Sequence, residues 1–326
     1  EIRVFVVVQI LNNDLMLAEQ IVKLIFHKRR LLANDSEQEN FQEEAFLHIQ
    51  KVLNFVKNKQ PIHMILPAFP AKSPNRKKTL DIFPDKGEEL ALATLNKLCE
   101  KIKNIYSPGA KLTICSDGRV FAELVRIPDE AISSYKYDLI ERVGKPYADN
   151  IDYFDLDDVF QDIPEYSTLR EELMVQYGES LLSLKHRCKQ EKPAAEMYRG
   201  ICRFLTEDFS GLTEFKGWSK NQILNVARMN AYRVIQRSNA WTNLLKEQFP
   251  NSVRLSIHPQ PRVSEKIGIF LMDSDDNWRT PWHSVVIQDD DGFTLVPRHK
   301  AEEENALLIF KNGKASHYLR NNQQEM

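Results

Sequence analysis

Two short apolar stretches, each running straight into a charged loop and separated by one amphipathic segment, limit the fold of this chain most strongly. The first, Ile62-His63-Met64-Ile65-Leu66, leads through Pro67-Ala68-Phe69-Pro70 into Ala71-Lys72-Ser73-Pro74-Asn75-Arg76-Lys77-Lys78. The second, Lys111-Leu112-Thr113-Ile114-Cys115, leads into Ser116-Asp117-Gly118-Arg119. Between them Leu90, Leu95, Leu98, Ile102 and Ile105 recur at helical spacing until Pro108-Gly109 ends the segment. Strand, helix and strand in this order predict a parallel pair joined by a right-handed crossover. Ligands of open α/β sheets bind outside the carboxyl ends of the strands, and both charged loops fall there. Their cations and hydroxyls suit a phosphorylated or carboxylated small molecule.

The rest of the chain fits an α/β class, a central sheet flanked by helices, with a helical insertion and a β-rich C-terminal part. The 326 residues are read as a single large domain. Residues 1–58 are expected to supply an N-terminal strand, from Val4-Phe5-Val6-Val7-Val8, and helices over 13–33 and 37–58 that part at Asn34-Asp35-Ser36. Residues 60–125 form the βαβ core. Residues 165–250 read as helical, broken near Pro193 and again at 211–217, with a long last helix over 219–247. Residues 251–312 then return strands to the core, at 253–258, 266–272, 284–288 and 293–297, with Asp289-Asp290-Asp291-Gly292 as a hairpin turn. The last dozen residues are polar and are expected to fray.

Bulk properties remove several function classes. A formal net charge of −2 gives no basis for general nucleic-acid affinity, so any basic site is local. The apolar run near the amino terminus is too short to span a bilayer. Cys99, Cys115, Cys188 and Cys202 are widely spaced without a C-x-x-C pair, which disfavours a zinc ribbon or a disulfide framework and suits a reducing, cytoplasmic setting. Asp152, Asp155, Asp157 and Asp158 lack the glycine and glutamate offsets of a calcium loop. No G-x-G-x-x-G, P-loop, H-E-x-x-H or G-x-S-x-G pattern is present. None of the eight histidines has an acidic residue two positions on, which disfavours a facial-triad iron oxygenase.

The candidate chemistry lies in four places. In Arg254-Leu255-Ser256-Ile257-His258, strand alternation puts Arg254, Ser256 and His258 on one face. A guanidinium there can clamp an anion and an imidazole can move a proton; an ordinary exposed sheet face has the same pattern. Thr280-Pro281-Trp282-His283 holds a second imidazole beside an aromatic surface, or simply docks Trp282 on the core. Lys72 could meet a phosphate, with Arg76 and Lys77 beside it, or form a Schiff base. Asp117 and Arg119 flank Gly118, which suits close ligand approach and equally a plain turn.

Phe69-Pro70-Ala71-Lys72-Ser73-Pro74-Asn75, Pro84-Asp85-Lys86-Gly87-Glu88, Cys115-Ser116-Asp117-Gly118-Arg119, Arg254-Leu255-Ser256-Ile257-His258-Pro259 and Thr280-Pro281-Trp282-His283 occur in this order. Each is weak alone. Together they resemble the isonitrile (isocyanide) synthase family, also called the pyoverdine/dityrosine biosynthesis family, over roughly residues 60–300. The resemblance implies a Rossmann-like core and conversion of the α-amino group of an aromatic L-amino acid, tyrosine or tryptophan, into an isonitrile. It further implies ribulose 5-phosphate as the carbon donor, no cofactor and no metal, and a product passed to an iron, 2-oxoglutarate-dependent oxygenase. Nucleic acid and membrane are not among the implied partners.

Laid on those positions, proton transfer falls to His258 and His283, with Lys72 and Asp117 as further catalytic candidates. Ser73, Arg76 and Lys77 would hold the sugar phosphate beside Lys72. Ser116 and Arg119 would position sugar hydroxyls with Asp117, and Arg254, Ser256 and Trp282 would line the substrate site. The alternatives are a sugar-phosphate lyase or aldolase using a Schiff-base Lys72, a non-catalytic sugar-phosphate-binding protein, and an N-formylating enzyme.

Overall fold

A computed structural model describes residues 2–32, 40–276 and 278–320, with side chains from Asn12 onward. Helices α1 (Ile2–Phe26) and α2 (Phe41–Lys57) precede strand β1 (Ile62–Pro67), helix α3 (Lys86–Ile105) and strand β2 (Ala110–Cys115). The chain continues through α4 (Gly118–Phe121), α5 (Asp129–Asp138) and β3 (Ile151–Phe154). Five helices follow: α6 (Leu156–Val159), α7 (Tyr166–Tyr177), α8 (Leu181–Gln190), α9 (Lys192–Ser210) and α10 (Lys220–Gln248). The last part comprises β4 (Val253–Ser256), β5 (Lys266–Gly268), β6 (Val285–Asp289), β7 (Gly292–Val296), α11 (Arg298–Glu303), β8 (Leu307–Lys311) and β9 (Lys314–Leu319).

The central sheet has the order β3-β2-β1-β4-β5 and is parallel throughout. Strand order reverses at β1, so the topological switch lies between the carboxyl ends of β1 and β4. Both faces are covered, as a parallel sheet requires. On one face Met64, Leu66, Leu112, Ile114 and Leu255 pack with apolar side chains of α1, α2 and α3. On the other, Ile65 and Cys115 pack with Leu169 and Leu173 of α7 and with Trp241, Leu244 and Leu245 of α10. Each fully buried Ile or Leu contributes about 1.5–3 kcal/mol, which fixes the strand register by face.

Several expectations are corrected. Residues 4–8 belong to α1, not to a strand; once a helix is nucleated, each added residue gains a hydrogen bond, which outweighs the modest β preference of valine. The helical segment holds a further break at Gly178–Ser180, where Ser180 caps α8; the break expected near Pro193 is present at Glu191, and Pro193 sits in the first turn of α9, where proline fits. Only β4 and β5 return to the central sheet. Strands β6 to β9 form a separate mixed sheet of order β7-β6-β9-β8, and β9 runs to Leu319, inside the stretch expected to fray. The Asp289-to-Gly292 hairpin joins β6 and β7 as expected, with Gly292 at φ 136°. Asn34-Asp35-Ser36 lies outside the described residues, as do the last six positions.

Helix α3 begins with a capping box in which the Asp85 side chain accepts from Gly87 N–H and Glu88 accepts from Asp85 N–H. The loops after β1 and β2 touch: a Cβ at Gly118 would lie 1.8 Å from the Pro70 carbonyl oxygen. Only glycine permits that approach. Gly118→Ala is expected to lower stability by about 1–3 kcal/mol, read as a lower urea midpoint at unchanged slope; an unchanged midpoint would show that the loops can part freely.

Candidate active site

The crevice at the switch point is assembled from the motifs found in sequence, and Lys72 joins three of them. Its ammonium donates to Asp85 Oδ2 at 2.7 Å and to the Pro281 carbonyl at 2.9 Å, and it lies 2.8 Å from Glu88 Oε2. Three donors thus meet three acceptors, and the side chain has no exposed surface. Burial opposes the charge, but the Asp85 and Glu88 carboxylates outweigh it and raise the Lys72 pKa. Asp85 is itself pushed up to about 7 by burial, partly offset by Lys72. Tyr135 donates to the other Glu88 oxygen at 3.2 Å. Lys72 is therefore an internal tether, with no nitrogen left for a phosphate or a ketone.

The neighbouring residues extend this tether. Ser73 N–H donates to the Trp282 carbonyl at 2.9 Å, and the Trp282 ring lies 5.2 Å from that of Phe69. Phe69 is buried at φ 57°, a left-handed conformation held directly after β1, where strain commonly marks a functional loop. Ser116 Oγ donates to the Phe69 carbonyl at 2.9 Å, which ties the β2 loop to the β1 loop.

His258 is exposed and His283 half-buried, as befits side chains lining a cleft. Burial, reinforced by Arg30 and Lys266, lowers the His258 pKa to about 4. Burial lowers that of His283 to about 4 as well, although the nearby Asp208 carboxylate pulls the other way. Both imidazoles are therefore neutral near pH 7. Asp117 shows the opposite shift: burial pushes its carboxyl up to about 7, and its Oδ1 is buried without a hydrogen-bond partner among the described residues. The Arg254 Nη1 and Nη2, Trp241 Nε1, Thr280 Oγ1, His283 Nδ1 and Ser284 Oγ share that condition.

The remaining expected residues are held by other protein groups or face solvent. Arg76 and Lys77 are exposed on the surface, Arg76 loosely paired with Asp81 at 3.7 Å. Arg119 is buried away from the crevice, bound by Asp129, Ser133 and Asp157 and stacked 3.6 Å over Tyr166; it braces the α4 region. Ser256 is buried on β4, where its oxygen accepts from His258 N–H at 3.1 Å.

Reading the sequence missed Asp208, which α9 brings to the crevice. It accepts from Ser73 Oγ at 3.1 Å, pairs with Lys78 at 2.6 Å and lies 3.9 Å from His283 Nδ1. Phe204, one turn earlier, meets the His283 ring edge-on at 4.9 Å. The available signal was a carboxylate in the last turn of a helix, where the macrodipole disfavours it unless it has a partner. Among the described residues no group of three His, Cys, Asp or Glu side chains could hold a metal ion, and no helix is long and apolar enough to cross a membrane.

Residues 52–309 match the family model described as "Pyoverdine/dityrosine biosynthesis protein". The chain belongs to this family. It is 43% identical over 315 residues, 95% of this chain and 94% of the relative, to the L-tryptophan isonitrile synthase AmbI2 of Fischerella ambigua. It is 42% identical, with 94% of each chain covered, to the L-tyrosine isonitrile synthase of Pseudomonas aeruginosa. The crystal structure of PvcA from Pseudomonas aeruginosa superposes with a TM-score of 0.86 at 40% identity, covering 93% of this chain and 99% of that one. The family's expected Rossmann-like α/β architecture is thereby observed.

Removing the Lys72 charge leaves Asp85 and Glu88 buried and facing each other. Lys72→Met is therefore expected to cost about 3–5 kcal/mol, measured by urea unfolding at pH 7. A loss below about 1 kcal/mol would show the cluster to be solvated.

Proposed function

We propose that this protein is an isonitrile synthase that converts the α-amino group of an aromatic L-amino acid, tyrosine or tryptophan, into an isocyanide with ribulose 5-phosphate as carbon donor. The observation that carries the reading is the joining of the β1 loop, the β2 loop and the Pro281–His283 turn by the Ser116–Phe69, Ser73–Trp282 and Lys72–Pro281 hydrogen bonds, in a chain whose relatives are named for isonitrile synthesis on both amino acids.

The required chemistry is proton transfer. An ammonium must lose a proton before attacking the ketone, a carbinolamine must lose water, and the sugar hydroxyls must be deprotonated as the carbon–carbon bonds beside C2 break. Groups poised near the working pH serve such steps best. Asp117 has that property and is assigned as the base for the amine. His258 and His283 are assigned the remaining transfers between sugar hydroxyls and leaving oxygen, for which the anionic substrate must raise their low pKa values. The product, a reactive isocyanide, suits onward transfer to an iron, 2-oxoglutarate-dependent oxygenase. Its role belongs to secondary metabolism, and four unpaired cysteines favour a reducing cytoplasmic location. The Schiff-base aldolase alternative loses its footing, since Lys72 is fully bonded and held charged.

Incubation with C2-labelled ribulose 5-phosphate and either tyrosine or tryptophan, followed by tetrazine trapping and mass analysis, is expected to give a labelled adduct with one of the two acids. Sugar binding without consumption, in the presence of either acid, would replace the enzyme by a sugar-phosphate-binding protein. A labelled formamide obtained without acid treatment would favour the N-formylating reading.

The Asp117 assignment has its own pH signature. Because its folded pKa is raised to about 7 and the ionised form is the base, kcat/KM rises with pH through about 7. Asp117→Asn is expected to abolish that limb and lower kcat/KM by roughly 10²–10⁴. Persistence of the limb in the variant would reassign the base.

A further inference from the structure

The cations expected to bind a phosphate after β1 are all accounted for: Lys72 is enclosed by acceptors, Lys78 is paired with Asp208, and Arg76 and Lys77 face solvent. Charge of another origin lies under α10. Arg254 of β4 and Lys266 of β5 are direct neighbours in the parallel register, so their side chains leave the same face of the sheet. Like charges side by side destabilise a sheet, more so when desolvated. Arg254 is 5% exposed, and its two terminal nitrogens are buried without an acceptor among the described residues. Its carboxylate neighbour, Glu265, is 3.9 Å away, mostly exposed, and shared with Lys246 at 3.5 Å. Ile65 stands beside Arg254 on β1, on the face of the sheet that α10 covers.

We propose that Arg254 and Lys266 form a phosphate-monoester subsite. Two cations on one patch match a group carrying nearly two negative charges at neutral pH, whereas a single carboxylate would be served by Arg254 alone. The guanidinium supplies a planar fork and the ammonium a point charge. Arg254 and Ser256 lie on one face of β4, and His258 follows just past its carboxyl end to complete the row, where it feels the Lys266 charge. A ligand held by its phosphate at the lower end of this row lays its carbon chain past Ser256 toward His258. Naming that ligand a five-carbon sugar phosphate rests on the reading given under Proposed function; the anion site itself does not.

The test is a calorimetric titration of the full-length chain with inorganic phosphate, repeated on Lys266→Met and Arg254→Met, with steady-state KM values for ribulose 5-phosphate and for the amino acid. Wild type is expected to bind phosphate. Each variant is expected to weaken it about ten-fold or more and to raise the sugar KM in parallel, with the amino-acid KM within about two-fold. Lys266 lies on the edge strand and is half-buried, so Lys266→Met carries the test if Arg254→Met does not fold. Unchanged phosphate binding in a folded variant overturns the proposal, and so does a raised amino-acid KM with an unaltered sugar KM. If no sugar is consumed, the phosphate titration still decides the site, and only the synthase reading falls.

Discussion

The ion cluster of Lys72 with Asp85 and Glu88 is the contact on which the rest of the site depends. A buried ammonium is tolerable only when its charge and all three protons are matched, and here the matching groups come from two separate parts of the chain, the start of α3 and the Pro281 turn. Asp85 and Glu88 are also the capping residues of α3, so helix start and charge neutralisation use the same two side chains. Pro281 accepts the third proton, which seats Trp282 and His283 over the β1 loop. A lysine in a charged loop after a strand looks like a ligand contact, but its surroundings make it the fastening of the crevice.

The electrostatics of the crevice divide along the sheet. Under α9, Asp208 neutralises Lys78 and sits beside His283. Under α10, Arg254 and Lys266 meet little opposing charge. Between them lie two imidazoles kept neutral by burial and one carboxyl that titrates near neutrality. Proton acceptors thus coexist with cations without forming ion pairs, because desolvation disfavours the charged imidazole.

The central architecture was legible because β1, α3 and β2 show both periodicities cleanly and end in turn chemistry. The long helix α10 was legible for the same reason. The amino-terminal valines misled because β-branching is a weak preference that tertiary context overrides. Among the candidate site residues, His258, His283, Asp117 and Arg254 were picked out by motif and alternation. Arg76 and Lys77 were not separable from Lys78 by sequence, since the direction of each side chain depends on the Asn75 turn, in which Asn75 accepts from Lys77 N–H. Asp208 and Lys266 carry no motif; they matter only because α9 and β5 pack where they do, and that is tertiary information.

Lys72 and Pro281 are separated by 209 residues, and Arg254 enters the central sheet only when β4 docks beside β1. Contacts of such sequence separation form late, after their loop-closure entropy has been met. As the chain emerges during synthesis, the β1, α3 and β2 crossover can collapse early, while Lys72 has its carboxylates but not its third acceptor. The crevice therefore closes only when the last third of the chain arrives, and a nascent or truncated polypeptide would hold the motifs without the chemistry.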